Sequence, residues 1–246
     1  MTEISHFTAP NGQSIAHVFH AGQEPALVFL PGYKSDMAGG KAQAVLEWAK
    51  ANDRACLLLD YSGCGLSSGD FADGTLSRWR DEVLALIAAK GIGGAVVIGS
   101  SMGGWLMLLV AKALGAKVKA LVGIAAAPDF TDWGTDPADQ AELAAGRTVL
   151  KDNPYGPEPT PTHPGFWQDG QAQRLLQGEI AFDGPVRLLH GQRDDDVPWH
   201  ISLQLAEKLR SNDVQVTLIK DGDHRLSRDE DIALLLRTIA TLPTLG

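Results

Sequence analysis

Long apolar runs are missing from this sequence. The longest, Ala26 to Leu30, Ala55 to Leu59 and Leu106 to Ala111, fall far short of the 18 or so residues that cross a bilayer, so no membrane span is expected. Cysteine is nearly absent. Cys56 and Cys64 are the only two, too few for a disulfide framework or a four-ligand zinc site. The seven histidines, at positions 6, 17, 20, 163, 190, 200 and 224, form no HExxH and no Cys-His cluster, so neither a metal nor another cofactor is expected. Basic charge is in deficit, with 21 Lys and Arg against 30 Asp and Glu and a net charge of -9. That sign repels phosphate backbones and anionic lipid, and nucleic acid is not an expected partner. The N-terminus Met-Thr-Glu-Ile-Ser-His shows no basic segment followed by an apolar stretch and no Arg-rich amphipathic pattern, which points to a cytoplasmic protein.

What remains is a chain of 246 residues with 44% hydrophobic residues, long enough to bury roughly three quarters of the surface its unfolded form exposes. Short apolar runs alternate with helical stretches. The runs are ALVFL (26 to 30), ACLLLD (55 to 60), AVVIG (95 to 99), VKALVGIA (118 to 125), VRLLH (186 to 190) and VQVTLI (214 to 219). Helices are predicted over 40 to 51, 77 to 90, 102 to 114, 200 to 210 and 227 to 241. Continuous apolar strands separated by helices imply an α/β fold with a mostly parallel sheet covered on both faces. Residues 4 to 7 and 14 to 19, either side of Pro10-Asn11-Gly12, read as an antiparallel hairpin at the sheet edge.

One stretch breaks the alternation. Over residues 128–183 no strand is predicted, only a short helix at 136 to 149 and a Pro-rich run, residues 153–167. So long a loop inside a compact domain is usually functional, and the alternation resumes after it. We therefore expect a single domain over residues 1–246 with an inserted lid at about 128–183.

Gly99-Ser100-Ser101-Met102-Gly103 is a G-x-S-x-G that closes an apolar strand and opens a helix. That context suits a sharp turn that lifts one hydroxyl to the top of the sheet and presents a helix N-terminus beside it. Ser101 is the candidate nucleophile, and Ser100 the competing hydroxyl. A serine needs a base, and the base an orienting acid. Two later strand ends supply both types: His190-Gly-Gln-Arg-Asp194-Asp-Asp-Val-Pro and Asp221-Gly-Asp-His224-Arg. His224 is preferred as base over His190, which ends a strand before a glycine and suits a packed turn. Asp194 is preferred as acid, with Asp196 its rival. Leu30-Pro31-Gly32-Tyr33 follows the third strand, so the N–H groups of Tyr33 and Met102 are the predicted oxyanion donors. Met102 and Trp105 beside the nucleophile, with Trp133, Phe166 and Trp167 in the lid, are candidates for an apolar substrate pocket.

The segments LPGY, DYSGCGLSSG, GSSMGGWLML, RLLHGQRDDDVPWH and DHR, in that order, resemble α/β-hydrolases of the serine esterase and acyl-thioesterase type. The resemblance is nearest to the mitochondrial acyl-protein thioesterases that also cleave acyl glucuronides, and it covers most of the chain outside the lid. It implies a serine hydrolase with Ser101 as nucleophile, Asp194 as acid and His224 as base, acting on a small ester or thioester or on an acylated protein. Two other readings compete: a serine peptidase of the same fold, and a ligand-binding relative without turnover.

Overall fold

A computed structural model describes residues 3–154 and 156–242; Tyr155, within the Pro-rich run, lies outside the described residues. The chain opens with β1 (Ser5–Thr8) and β2 (Ser14–His20), which pair antiparallel around a turn closed by Gly12 N–H to Ala9 O. Next come β3 (Gln23–Leu30), α1 (Gly40–Ala51), β4 (Arg54–Leu59), α2 (Leu76–Ala89), β5 (Ala95–Ser100), α3 (Met102–Leu114) and β6 (Val118–Ile124). After the interrupting segment the alternation returns with β9 (Val186–Gly191), α7 (His200–Lys208), β10 (Val214–Ile219) and α8 (Asp229–Ala240). The interruption itself holds α4 (Phe130–Trp133), α5 (Pro137–Ala144), β7 (Val149–Lys151), β8 (Thr160–Thr162) and α6 (Pro164–Ala172).

Eight strands form one sheet in the order β1-β2-β4-β3-β5-β6-β9-β10, parallel from β4 onward. The strand period of two sorts their side chains into two cores. In β3, Ala26, Val28 and Leu30 join the core under α2, α3 and α7, while Leu27 and Phe29 join the core under α1 and α8. The same alternation holds in β4 and β5: Leu57 and Val97 face one side, Cys56 and Ile98 the other. Burial on both faces is what makes these strands read as unbroken apolar runs. Cys56 and Cys64 are both free and buried, and burial pushes each thiol up to about 12, so neither supplies a thiolate near neutral pH.

The order places the site. From β3 the chain goes outward to β4 and then returns to β5 on the other side of β3. The loops after β3 and β5 therefore leave in opposite directions, and a crevice opens at their carboxyl ends. One expectation fails here: the interruption does contain strands, the β7–β8 hairpin, paired from Val149↔Thr162 to Lys151↔Thr160. Pro161 at its centre and the helical look of residues up to 149 hid it, since a two-stranded ribbon outside the main sheet tolerates a proline that a central strand does not.

Candidate active site

The strand-to-helix turn is the most constrained piece of backbone in the site. Ser101 stands between β5 and α3 at φ 55, ψ -121, a region a non-glycine residue enters at a cost of about 1–3 kcal/mol. The surroundings enforce it: Ser101 N–H bonds Ile124 O at 2.9 Å, and Ser101 O accepts from Ala127 N at 3.0 Å and Gly104 N at 2.8 Å. The flanking glycines are required by close approach. A Cβ on Gly99 would stand 2.2 Å from Gly103 O, and one on Gly103 would stand 2.1 Å from Leu30 O. The motif is thus the only way to bring α3 this near to β3 and β5. Met102 opens α3, where an N–H has no intrahelical acceptor. The loop after β3 runs against the same serine, since a Cβ on Gly32 would lie 3.3 Å from Ser101 Cβ. That loop is braced from below by Asp60, whose carboxylate accepts from Met37 N at 2.7 Å and Leu66 N at 2.8 Å.

Three side chains from three loops meet over this turn. Ser101 Oγ lies 3.0 Å from His224 Nε2, and His224 Nδ1 lies 2.8 Å from Asp194 Oδ2. The Asp194 side chain has no exposed surface. Its Oδ1 accepts from the backbone N–H of Asp196 (2.9 Å) and Val197 (2.7 Å), which is why Asp194, not its two exposed neighbours, reaches the imidazole. Burial alone would favour the neutral acid. Hydrogen bonds from His190 and His224, the charge of His224 and the Val197 N–H outweigh it, and the carboxyl is held well below the usual carboxylate range. Asp194, Asp196 and His224 are also the one cluster of potential metal ligands among the described residues, within 4.8 Å of one another. Both ring nitrogens of His224 are engaged instead, by Ser101 Oγ and Asp194 Oδ2.

A cavity of about 580 Å³ opens over Ser101, a usual size for a small-molecule site. Tyr33, Met102, Phe130, Trp133, Leu143 and Val149 give it an apolar wall, mostly from the segment between β6 and β9. Three residues expected at this wall are elsewhere. Trp105 is fully buried on α3, packs edge-on against Phe130 and donates Nε1–H to Gln173 O at 3.1 Å. Phe166 lies behind Tyr33 and Phe130, with ring centroids 4.7 and 5.7 Å away. Trp167 donates to Thr131 O at 3.0 Å. All three seat α6 on the body of the protein instead of lining the cavity, because the helix period turns them toward the layer beneath. Met102 and Trp133 do line it.

Sequence reasoning missed several contributors. Leu143 and Val149 carry no motif and became wall residues only through the path of the chain. Lys41, at the start of α1, donates Nζ–H to Arg225 O, next to His224, and burial lowers its ammonium to about 8. The rim of the cavity carries Lys34, Lys41, Lys151 and Arg225 against Asp36, Asp152 and Asp196, a local balance opposite in sign to that of the whole chain.

The Alpha/beta hydrolase family model matches residues 27–235. The chain belongs to that family. It is 38% identical over 245 residues to the human palmitoyl-protein thioesterase ABHD10, mitochondrial, covering 98% of this chain and 80% of the relative. In three dimensions it matches a crystal structure from Agrobacterium vitis S4 at a TM-score of 0.92 and 37% identity, over 98% of both chains. Mouse alpha/beta hydrolase domain-containing protein 10 follows at 0.89 and 37%, over 97% of both. Family membership makes this protein a hydrolase. It also corrects the compartment: the curated relative is named a mitochondrial protein, which overturns the cytoplasmic assignment drawn from the N-terminal residues.

Proposed function

We propose that this hydrolase cleaves carboxylic ester and acyl thioester bonds through an acyl-Ser101 intermediate, with residues 128–183 acting as the lid over the acyl group in a single domain. The observation that carries the reading is the continuous relay from Ser101 Oγ through His224 to Asp194, at 3.0 and 2.8 Å. The name of the human relative, a palmitoyl-protein thioesterase, supports an acyl thioester among the substrates.

In this mechanism Ser101 Oγ attacks the acyl carbon while His224 Nε2 takes its proton. Asp194 fixes the ring with Nδ1–H toward it and stabilises the imidazolium that forms. The N–H groups of Tyr33 and Met102 receive the oxyanion. As the tetrahedral intermediate collapses, the C–O or C–S bond breaks and the leaving alcohol or thiol takes the proton from His224. Water then attacks the acyl-serine, giving its proton to His224, which returns it to Ser101 Oγ as the carboxylic acid departs. No step needs a cofactor.

The test is Ser101→Ala against a panel of p-nitrophenyl esters and acyl thioesters, with a fluorophosphonate probe. Turnover should fall on the order of a millionfold, labelling should vanish and the melting temperature should stay put. Near-normal hydrolysis by pure Ser101→Ala would refute the mechanism; labelling of Ser101 with amide turnover would favour a peptidase.

A further inference from the structure

The hydrogen-bonded chain at the site does not stop at the acid. His190, the penultimate residue of β9, is fully buried. Its Nε2 lies 3.1 Å from Asp194 Oδ2 and 3.0 Å from the carbonyl oxygen of Val197. A carboxylate and a carbonyl only accept, so Nε2 must carry a proton. Its Nδ1 lies 2.7 Å from the hydroxyl of Ser202, buried on α7. That hydroxyl donates to Nδ1 and fixes the tautomer.

We infer that His190 is a positioning residue, which holds the Asp194 carboxylate with Oδ2 turned toward His224 and tempers how strongly that oxygen binds the imidazolium; the inference rests on the triad proposed above. Each oxygen of Asp194 then has two donors: backbone N–H of Asp196 and Val197 on Oδ1, His224 and His190 on Oδ2. Rotation of the carboxyl group would break both imidazole bonds at once. Because the same Nε2–H also reaches Val197 O, it ties the acid to the loop that supplies the two backbone donors. Ser202 extends the hold to α7, so the acid loop is anchored to the helix that follows it. The titratable groups facing Asp194 are the imidazoles of His190 on β9 and His224 in the loop after β10, with the Asp196 carboxylate within 4.8 Å of Asp194 and His224.

The experiment compares His190→Phe, His190→Gln and Ser202→Ala with wild type in kcat, KM and the pH profile of kcat/KM, each also in an Asp194→Asn background. Phe fills the space without a donor, and kcat should fall roughly tenfold to a hundredfold with KM within about threefold, the usual scale for losing an outer hydrogen-bond partner of a reacting group. With one donor fewer, Asp194 holds the His224 imidazolium harder, so the acid limb should move to higher pH by about half a unit. Gln can donate from Nε2 and accept from Ser202, and should bring kcat back to within about threefold of wild type. Ser202→Ala, which leaves the ring in place, should shift the acid limb in the same sense and lower kcat by about twofold to fivefold. In the Asp194→Asn background none of the three should cost more than about a further twofold, because the effect runs through the acid.

A His190→Phe enzyme with wild-type kcat and pH profile would overturn the inference, as would losses that add fully to that of Asp194→Asn. Should His190→Phe fail to fold, Ser202→Ala decides, and an unchanged rate and acid limb there would overturn it too. Full activity of Asp194→Asn by itself would bring down the triad, a failure visible without any His190 variant.

Discussion

Ser101, His224 and Asp194 are held by different kinds of force, and single substitutions should separate them. The serine is set by the backbone hydrogen bonds that hold its strained turn, the histidine by its two hydrogen bonds, and the aspartate by four donors around a side chain with no exposed surface. Asp194→Asn keeps the shape but offers an N–H to a ring nitrogen that must itself donate, so the wrong tautomer results. Turnover should fall by roughly a thousandfold or more, read from kcat on a short ester. Asp195→Asn and Asp196→Asn should stay within about threefold, since both side chains are exposed and the bond from Asp196 to the acid is made by its backbone N–H, which the substitution keeps. Mild loss in Asp194→Asn with severe loss in Asp196→Asn would reverse the assignment.

Among the elements, the β5–α3 turn carries Ser101 and the segment between β6 and β9 supplies most of the apolar cavity wall. Gly103→Ala places a methyl group against Leu30 O and Pro31 O, at 2.1 and 2.5 Å, so α3 must move away from the loop that carries Tyr33. We expect a stability loss of about 2–3 kcal/mol, a melting temperature lower by roughly 4–10 °C, and an activity loss beyond the folded fraction that remains. The inserted segment is fastened at both ends. Asp129, where it begins, accepts from Leu175 and Leu176 N–H at 2.8 Å each, and Asp169 on α6 accepts from Ser77 N and Oγ at 2.8 and 2.6 Å. Leu143 is fully buried and lines the cavity, so we expect its bulk to limit the acyl chain that fits. Each buried methylene contributes about 0.8 kcal/mol, so kcat/KM should rise roughly tenfold per two carbons until the cavity is full. Leu143→Ala should move that limit to longer chains and Leu143→Trp to shorter ones. Trp167→Ala should lower stability without moving it, because Trp167 bonds Thr131 instead of lining the wall. A chain-length series on the three variants checks this.

Across the whole molecule, Lys41 closes one end of the core under α1 and α8, joining the start of α1 to the loop before α8. Burial, with Arg225 adding to it, lowers this ammonium from 10.5 to about 8 despite Asp223 and Asp231 nearby. Between those values the unfolded chain binds the proton and the folded chain does not, so this group makes stability rise with pH from about 8 to 10.5. Lys41→Met should flatten that rise, seen as a smaller pH dependence of the denaturation midpoint over the interval. The order of strands and helices outside residues 128–183, the Gly99 to Gly103 turn and the three loops holding Ser101, Asp194 and His224 were legible in the sequence, because strand burial, close backbone approach and polar side chains at strand ends each leave a local pattern; within 128–183 the helices α4 and α6 were not. The β7–β8 hairpin was not, since a proline at its centre imitates a loop. Nor were the wall residues: Trp105, Phe166 and Trp167 have the right chemistry for a pocket, but their direction depends on how α3 and α6 pack, not on any spacing along the chain. His190 shows the same division within one motif. Its sequence position reads as a packed turn residue, and it is packed; that its ring faces the acid of the relay follows only from β9, α7 and the acid loop closing around it. The sequence by itself determined the fold and the three loops that carry Ser101, Asp194 and His224, whose requirements are local. Tertiary structure decided which side chains surround them, because wall and support are made by residues far apart in the chain that meet only when the two cores are complete.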